Sequence, residues 1–270
     1  MIRIFSILAG LFFIVGLLWS TTVDTLAFAT DGLPTSPEKE FHIEHPKALS
    51  LKSDGPFGKF DKEQLQRGFG VYREVCAQCH SLKQVAYRDL AALGYSENAI
   101  KAIAAKATIN AKDPLSGEMK DRPGLPADHF PPVVYGGKGV PPDLSLITKA
   151  REGGAPYVYS LLTGYTAQPA KLANNPETRT PDGLHYNPYF ANLNIAMAPP
   201  LAADGLVTYS DGTVATKDQM AKDVSAFLVW TAEPKLEARH QTGFMWVGLM
   251  LFVTVLSFLA YRNVWSGTKH

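Results

Sequence analysis

The chain has 270 residues, 46% of them apolar and 19% charged, with a formal net charge of +1. That balance excludes a disordered polyelectrolyte. Lys and Arg form no run beyond isolated pairs, so no nucleic-acid partner is expected.

Reading from the N-terminus, no residue between Ile4 and Val23 is charged, Arg3 precedes the apolar run, and Ala27-Phe28-Ala29 supplies a small-x-small ending. This pattern predicts a secretory signal peptide over residues 1–29. The run approaches the roughly 20 residues that cross a bilayer, so a retained N-terminal anchor is the alternative. Either reading exports the body that follows, residues 30–240.

Asp61 is a good N-cap with Gln64 at the capping-box position. Leu65, Phe69, Tyr72, Cys76 and Cys79 then recur at helical spacing, which predicts one helix from Asp61 to His80. The stretch VCAQCHSL holds both cysteines of the chain. A disulfide between them would close a very small loop and stabilise little. A redox pair wants a βαβ context, and a zinc site wants further ligands, neither of which the sequence offers. C-x-x-C-H is the signature of covalent haem attachment. In that reading Cys76 and Cys79 form thioethers to one haem c, and His80 ligates the iron.

A sixth ligand is sought among the methionines and the remaining histidines. Met220 falls on the apolar face of a second amphipathic helix, Lys217 to Trp230, opened by Thr216. Met119 lies in a polar, turn-rich run. Met197 stands in NIAMAPPL, a stretch stiffened by Pro199 and Pro200, and is the preferred ligand. His129 and His185 are the competitors; His42 and His45 lie in a polar run. Met/His ligation fills both axial positions and favours electron transfer over chemistry at an open iron. No catalytic residues are therefore expected.

Gly243 to Tyr261 is uncharged and apolar all round, with Trp246, Tyr261 and Trp265 near its ends. It predicts a transmembrane helix over residues 241–262. Arg262 and Lys269 mark the tail, residues 263–270, as cytoplasmic. The expected fold class is mainly α: a cytochrome c-type haem domain with long irregular loops plus one C-terminal transmembrane helix.

The ordered blocks VYREVCAQCHSL, GVPPDLSLITKAREGGAPYVYSLLTGY, YNPYF, IAMAPPL and KDVSAFLVWTAEPK, followed by a single span, resemble the cytochrome c1 family, from about Gly55 to the C-terminus. The resemblance implies the haem-bearing subunit of the quinol–cytochrome c oxidoreductase, not an enzyme on its own. It would take one electron from the Rieske iron–sulfur protein and pass it to a soluble or tethered cytochrome c. It also implies cytochrome b and the lipid bilayer as partners, a dimeric complex, and a bacterial plasma membrane with the haem domain on the periplasmic side. By the same resemblance Met197 is the axial sulfur, and Pro141 or Pro142 offers a carbonyl to the free ring nitrogen of His80. Arg151 and Tyr157 match positions near a haem propionate. Two features depart from it or stay open. The chain lacks the extra cysteines of several bacterial relatives, and the polar segment from Lys171 to Leu184 has no assigned shape. Asp113, Glu118, Asp121 and Asp128 are acidic candidates for docking a cytochrome c, each also readable as a solvated loop charge. A haem enzyme with an open iron and a free-standing anchored carrier are the rival functions.

Overall fold

The computed structural model describes residues 2–31, 43–113, 116–137, 139–174, 176 and 178–267. His42, Lys269 and His270 fall outside the described residues. Helix α1, Ile2–Asp31, forms a unit of its own. Its stretch Phe5–Leu26 contains 18 residues with a mean hydropathy of 2.0 and is long and apolar enough to cross a membrane.

From His45 on, the described chain is a second unit, built on two helices, α2 (Lys62–Glu74) and α7 (Lys217–Ala232). Both start on side-chain caps. Asp61 Oδ1 accepts from the Glu63 and Gln64 amides, and Thr216 Oγ1 accepts from Gln219 N. Only half of the capping box at Asp61 forms, because the Gln64 side chain donates instead to Asp223 on α7. The helices cross at Gly68, where an added Cβ would lie 2.1 Å from the Asp223 carbonyl oxygen. Around this contact Leu65, Phe69 and Tyr72 of α2 bury against Val224, Phe227 and Trp230 of α7. Ring centroids are 5.7 Å apart for Phe69–Phe227 and 5.8 Å for Tyr72–Phe227.

A fully buried carboxylate lies at the crossing. Asp223 receives Arg67 Nε at 2.9 Å, Gln219 Nε2 at 2.9 Å and Gln64 Nε2 at 3.2 Å. Arg67 also reaches Asp211 at 2.6 Å, and these carboxylates raise its pKa against the opposing effect of burial. A buried charge survives only when it is paired and its lone pairs are used, as here.

The expected helix from Asp61 to His80 is shorter: α2 stops at Glu74 and Cys76–Gln78 form a single 3-10 turn. The cause is local. The Cys76 carbonyl accepts both Cys79 N at 3.1 Å and His80 N at 2.9 Å, and Tyr72 Oη holds the His80 carbonyl at 3.1 Å. The second helix runs two residues beyond its expected end, to Ala232.

Between these helices run a 3-10 stretch, Tyr87–Leu93, and α3, Glu97–Ala104. An antiparallel hairpin follows, β1 (Thr108–Lys112) with β2 (Met119–Pro123), which places Asn110 opposite Asp121. The sequence reading missed it because β2 is polar and largely exposed, and the alternation in β1, where Ile109 and Ala111 are half-buried, spans only five residues. Then come α4 (Ile147–Ala150), α5 (Gly154–Thr163), which packs on α7, and α6 (Ala170–Ala173). Two-residue strands β3 (His185–Tyr186) and β4 (Asn194–Ile195) pair in an antiparallel hairpin. The architecture is mainly helical with long irregular segments, as expected.

The tail helix α8, Leu236–Trp265, begins earlier than the apolar run and ends later. Leu236 is only 6% exposed, so the helix is rooted in the core of the domain before it becomes apolar all round. An 18-residue stretch of it reaches a mean hydropathy of 2.1, which makes it a second helix long and apolar enough to cross a membrane.

Two outcomes follow from the packing. Arg67→Leu leaves Asp223 buried without its cation and costs about 3–5 kcal/mol in denaturant unfolding, whereas Arg67→Leu with Asp223→Leu recovers most of the loss. Arg122 holds Asp128 by two hydrogen bonds, at 2.6 and 2.8 Å, and with the Leu125 amide brings its pKa to about 2. A carboxylate depressed in the folded state stabilises above its unfolded pKa, and that stabilisation disappears as pH falls through the folded value. Asp128→Asn is therefore less stable than the parent at neutral pH, with a shallower loss of stability between about pH 4 and pH 2.

Candidate haem-binding site

The turn at the end of α2 presents both thiols. Cys76 and Cys79 are unpaired and half-buried. Burial, with a smaller contribution from Cys79, pushes the Cys76 thiol up to about 12. It stays protonated at neutral pH, unlike the thiolate of a redox-active pair. No cluster of metal-ligating side chains of the zinc type occurs among the described residues.

His80 is oriented by the segment that contains PPDLS. Its Nδ1 lies 2.8 Å from the Pro142 carbonyl oxygen, so this nitrogen carries the proton and donates. Nε2 keeps its lone pair for a metal. Of the two prolines proposed for this contact, Pro142 makes it; Pro141 precedes it, half-buried. The pairing then continues in register. Ser81 O accepts from Leu144 N at 2.9 Å, and Ser81 Oγ accepts from Val133 N at 2.7 Å. The Asp143 carboxylate accepts from the amides of Lys83 and Ser145, and Ser145 Oγ accepts from Gln84 N. The residues after the motif are thus sewn to 142–145 by both backbone and side chains.

Close by in sequence, Val134 and Val140 are 95% and 93% exposed. Large apolar side chains standing nearly bare beside a motif are surface that a flat apolar group would cover. Two free thiols, an imidazole with one committed nitrogen, and bare valines together fit a covalently held porphyrin.

Met197 is half-buried and lies two residues past the end of β4. The Tyr165 hydroxyl donates to its carbonyl oxygen at 3.0 Å. Its hairpin is fastened to α5 by Asn187, fully buried, whose Nδ2 donates to Leu161 O at 2.8 Å while Oδ1 accepts from Tyr189 N at 3.1 Å. Asn187 N donates to Leu193 O, and Leu193 adopts φ 63° at the turn, a left-handed conformation uncommon outside glycine. Gly164, just before Tyr165, is a glycine for a visible reason: a Cβ there would meet the Tyr189 ring at 2.3 Å. The histidine competitors fare differently. His185 sits opposite Ile195 in this hairpin, whereas His129 is exposed and forms an isolated bridge with Ala86. Met220 is wholly buried in the core and Met119 is exposed, which agrees with setting both aside.

Arg151 is exposed just after α4, and Tyr157 is half-buried on α5. Burial raises the Tyr157 phenol while the charge of Arg151 pulls it back, so the two groups interact electrostatically. Tyr165 is raised by burial and, secondarily, by Tyr157. The four docking candidates lie on or beside the β1–β2 hairpin, where Asp113 pairs with Lys120, Asp121 accepts from Asn110, and Asp128 holds Arg122. Three of the four are engaged in local contacts that shape the hairpin. The segment from Lys171 to Leu184 gains a clamp: Gln168 donates to Thr178 O and accepts from Thr180 N.

Sequence reasoning took Tyr72 only as a member of the apolar stripe, and Ser81, Asp143, Asn187 and Tyr165 only as parts of the matching blocks. Each acts through hydrogen bonds to backbone atoms distant in the chain or across a turn, which no local pattern signals.

This turn, with its one committed imidazole nitrogen, has the residue set of the haem seat in a c-type cytochrome. Residues 51–268 match the model of the cytochrome C1 family. Cytochrome c1 of Rhodospirillum rubrum is 45% identical over 237 residues, covering 80% of this chain and 86% of that protein. The mitochondrial cytochrome c1 heme protein of Saccharomyces cerevisiae is 40% identical over 237 residues, covering 84% and 74%. The cytochrome b-c1 complex catalytic subunit of Candida albicans is 39% identical over 259 residues, covering 93% and 84%. The chain belongs to the cytochrome c1 family.

Asn187→Ala strips the hairpin of two buried hydrogen bonds and leaves Leu161 O and Tyr189 N without these partners. A loss of about 1–3 kcal/mol is expected. Hydrogen exchange at the Leu193 amide, which bonds to Phe190 O, rises more than exchange in α2.

Proposed function

We propose that this chain is the haem-bearing electron-transfer subunit of a cytochrome bc1 complex. The observation that carries the proposal is the His80 Nδ1 contact to the Pro142 carbonyl, which sets one tautomer and leaves the Nε2 lone pair available to a metal. Cys76 and Cys79 would hold one haem c covalently, and His80 Nε2 and the Met197 sulfur would ligate its iron. The bound haem supplies a one-electron couple whose potential is raised by a thioether ligand. The chain's own part is to orient and bury. Pro142 fixes the imidazole, Tyr165 and Asn187 fix the backbone that carries Met197, and the Arg151 guanidinium with Tyr157 meets a propionate. With both of these side chains bound to the iron no position would stay open for substrate, which favours electron transfer by a subunit that is not an enzyme on its own.

Membership of the family and the naming of one relative as a cytochrome b-c1 complex subunit support the complex as the setting. In it the electron comes from the Rieske iron–sulfur protein and leaves to a soluble or tethered cytochrome c. Cytochrome b contacts the span, and the complex is dimeric. Helix α8 anchors the domain in a bacterial plasma membrane. The haem domain stands on the periplasmic side and the basic C-terminus in the cytoplasm, following an export signal in residues 1–29.

Optical spectra of the purified, haem-loaded protein test the axial pair. The parent shows the Fe–S(Met) charge-transfer band in the oxidised state and resists added cyanide. Met197→Leu loses the band and binds cyanide while keeping its covalent haem, and His80→Ala loses the low-spin spectrum. A Met197→Leu protein with the parent spectrum would move the sixth ligand elsewhere, to His185 first.

A further inference from the structure

The loop from Lys52 to Phe60 is a compact device with an aromatic tip. Asp54 N bonds to Leu51 O, Gly58 N to Gly55 O and Lys59 N to Lys52 O, and the Asp54 carboxylate accepts from Leu51 N. Gly58 is packed so closely that a Cβ would lie 2.1 Å from Ser53 O. The loop is locked to the root of the tail helix, since Phe60 N donates to Glu237 Oε1 at 2.8 Å. Its tip, Phe57, is 79% exposed, although its ring stacks on Phe244 with centroids 4.9 Å apart and planes at 7°.

Phe244 belongs to the first turn of the uncharged run of α8. Crossing a bilayer core takes about 20 residues, and counting from Gly243 that reaches Arg262, the first charge beyond the run. Phe244 therefore lies at the start of the hydrocarbon, with Trp246 just inside it. A ring stacked face to face on Phe244 shares its depth. From this stacking we infer that Phe57 is a membrane-interface anchor of the haem domain, inserted at the boundary between phospholipid headgroups and acyl chains on the side of the domain. This rests on the reading of α8 as the span.

The local charges support a zwitterionic headgroup zone. Exposed Lys59 and Lys62 are balanced by Asp54 and Glu63, and Lys52 is paired with Asp61 at 2.6 Å. An aromatic ring flanked by both signs suits the interface, where rings are favoured. The anchor gives the domain a second point of attachment besides α8 itself, and two points resist rocking of the domain over the bilayer.

Nitroxide labels at Phe57→Cys, Phe244→Cys and Val214→Cys test this in the haem-loaded full chain, in the assembly with which it purifies, reconstituted in phosphatidylcholine nanodiscs. The unsubstituted chain controls for labelling. Val214 is 74% exposed and precedes α7 at the end remote from α8, about 24 Å of helix away. Apolar oxygen should relax the labels at 57 and 244 more than an aqueous nickel chelate does, with the order reversed at 214. A label at 57 that behaves like the one at 214, while 244 stays in lipid, overturns the anchor and leaves the span intact. A label at 244 exposed to the chelate overturns the span reading itself. Shielding of 57 from both reagents makes a protein partner the occupant and also overturns the inference.

Discussion

Where Gly68 meets the backbone of Asp223, two helices touch with no side chain between them, and the placement of the rest follows. The approach allows Arg67 and Gln64 to reach the buried Asp223 carboxylate, and Phe69 and Tyr72 to interleave with Phe227. A side chain at residue 68 would force the helices apart and strand a charge inside the core. The end of α2 is therefore held firmly, and that end carries the two thiols and the imidazole.

From this fixed end, the remaining task is orientation, and it is done by backbone carbonyls and short polar side chains. A histidine ring free to rotate would present either nitrogen. The Pro142 carbonyl selects one, and Ser81, Asp143 and Ser145 stop the two segments from sliding past each other. The far segment with Met197 is fixed by the same means, through Asn187 and Tyr165. Neither segment forms a long regular element, which is why buried side-chain hydrogen bonds take over the role of ladders there.

What could be read in the sequence divides along the same line. The stripe Leu65, Phe69 and Tyr72, the caps Asp61 and Thr216, and the uncharged run of α8 all obey a local period or a local chemical rule. The structure has them nearly where the sequence puts them. The motif C-x-x-C-H was legible because the covalent haem attachment proposed for it demands that spacing. The end of α2 was misjudged by six residues, because nothing local signals that Tyr72 and the Cys76 carbonyl will tighten the chain into a 3-10 turn. The β1–β2 hairpin left only the five-residue alternation of β1 to find, because β2 is polar and largely exposed. The fastening of Met197 depends on contacts such as Asn187 to Leu161, whose partners only the fold brings together. The interfacial position of Phe57 was likewise silent, since it depends on a ring in a helix that begins far along the chain.

The account depends on one haem being covalently joined to the turn after α2. Mass spectrometry of the intact exported protein, followed by fragmentation of the peptide spanning Val75 to Leu82, reads this directly. The account predicts the mass of one haem on that peptide with both Cys76 and Cys79 modified, and a single remaining linkage in Cys76→Ser. An unmodified peptide from a host competent in haem attachment, with the domain folded, would contradict it.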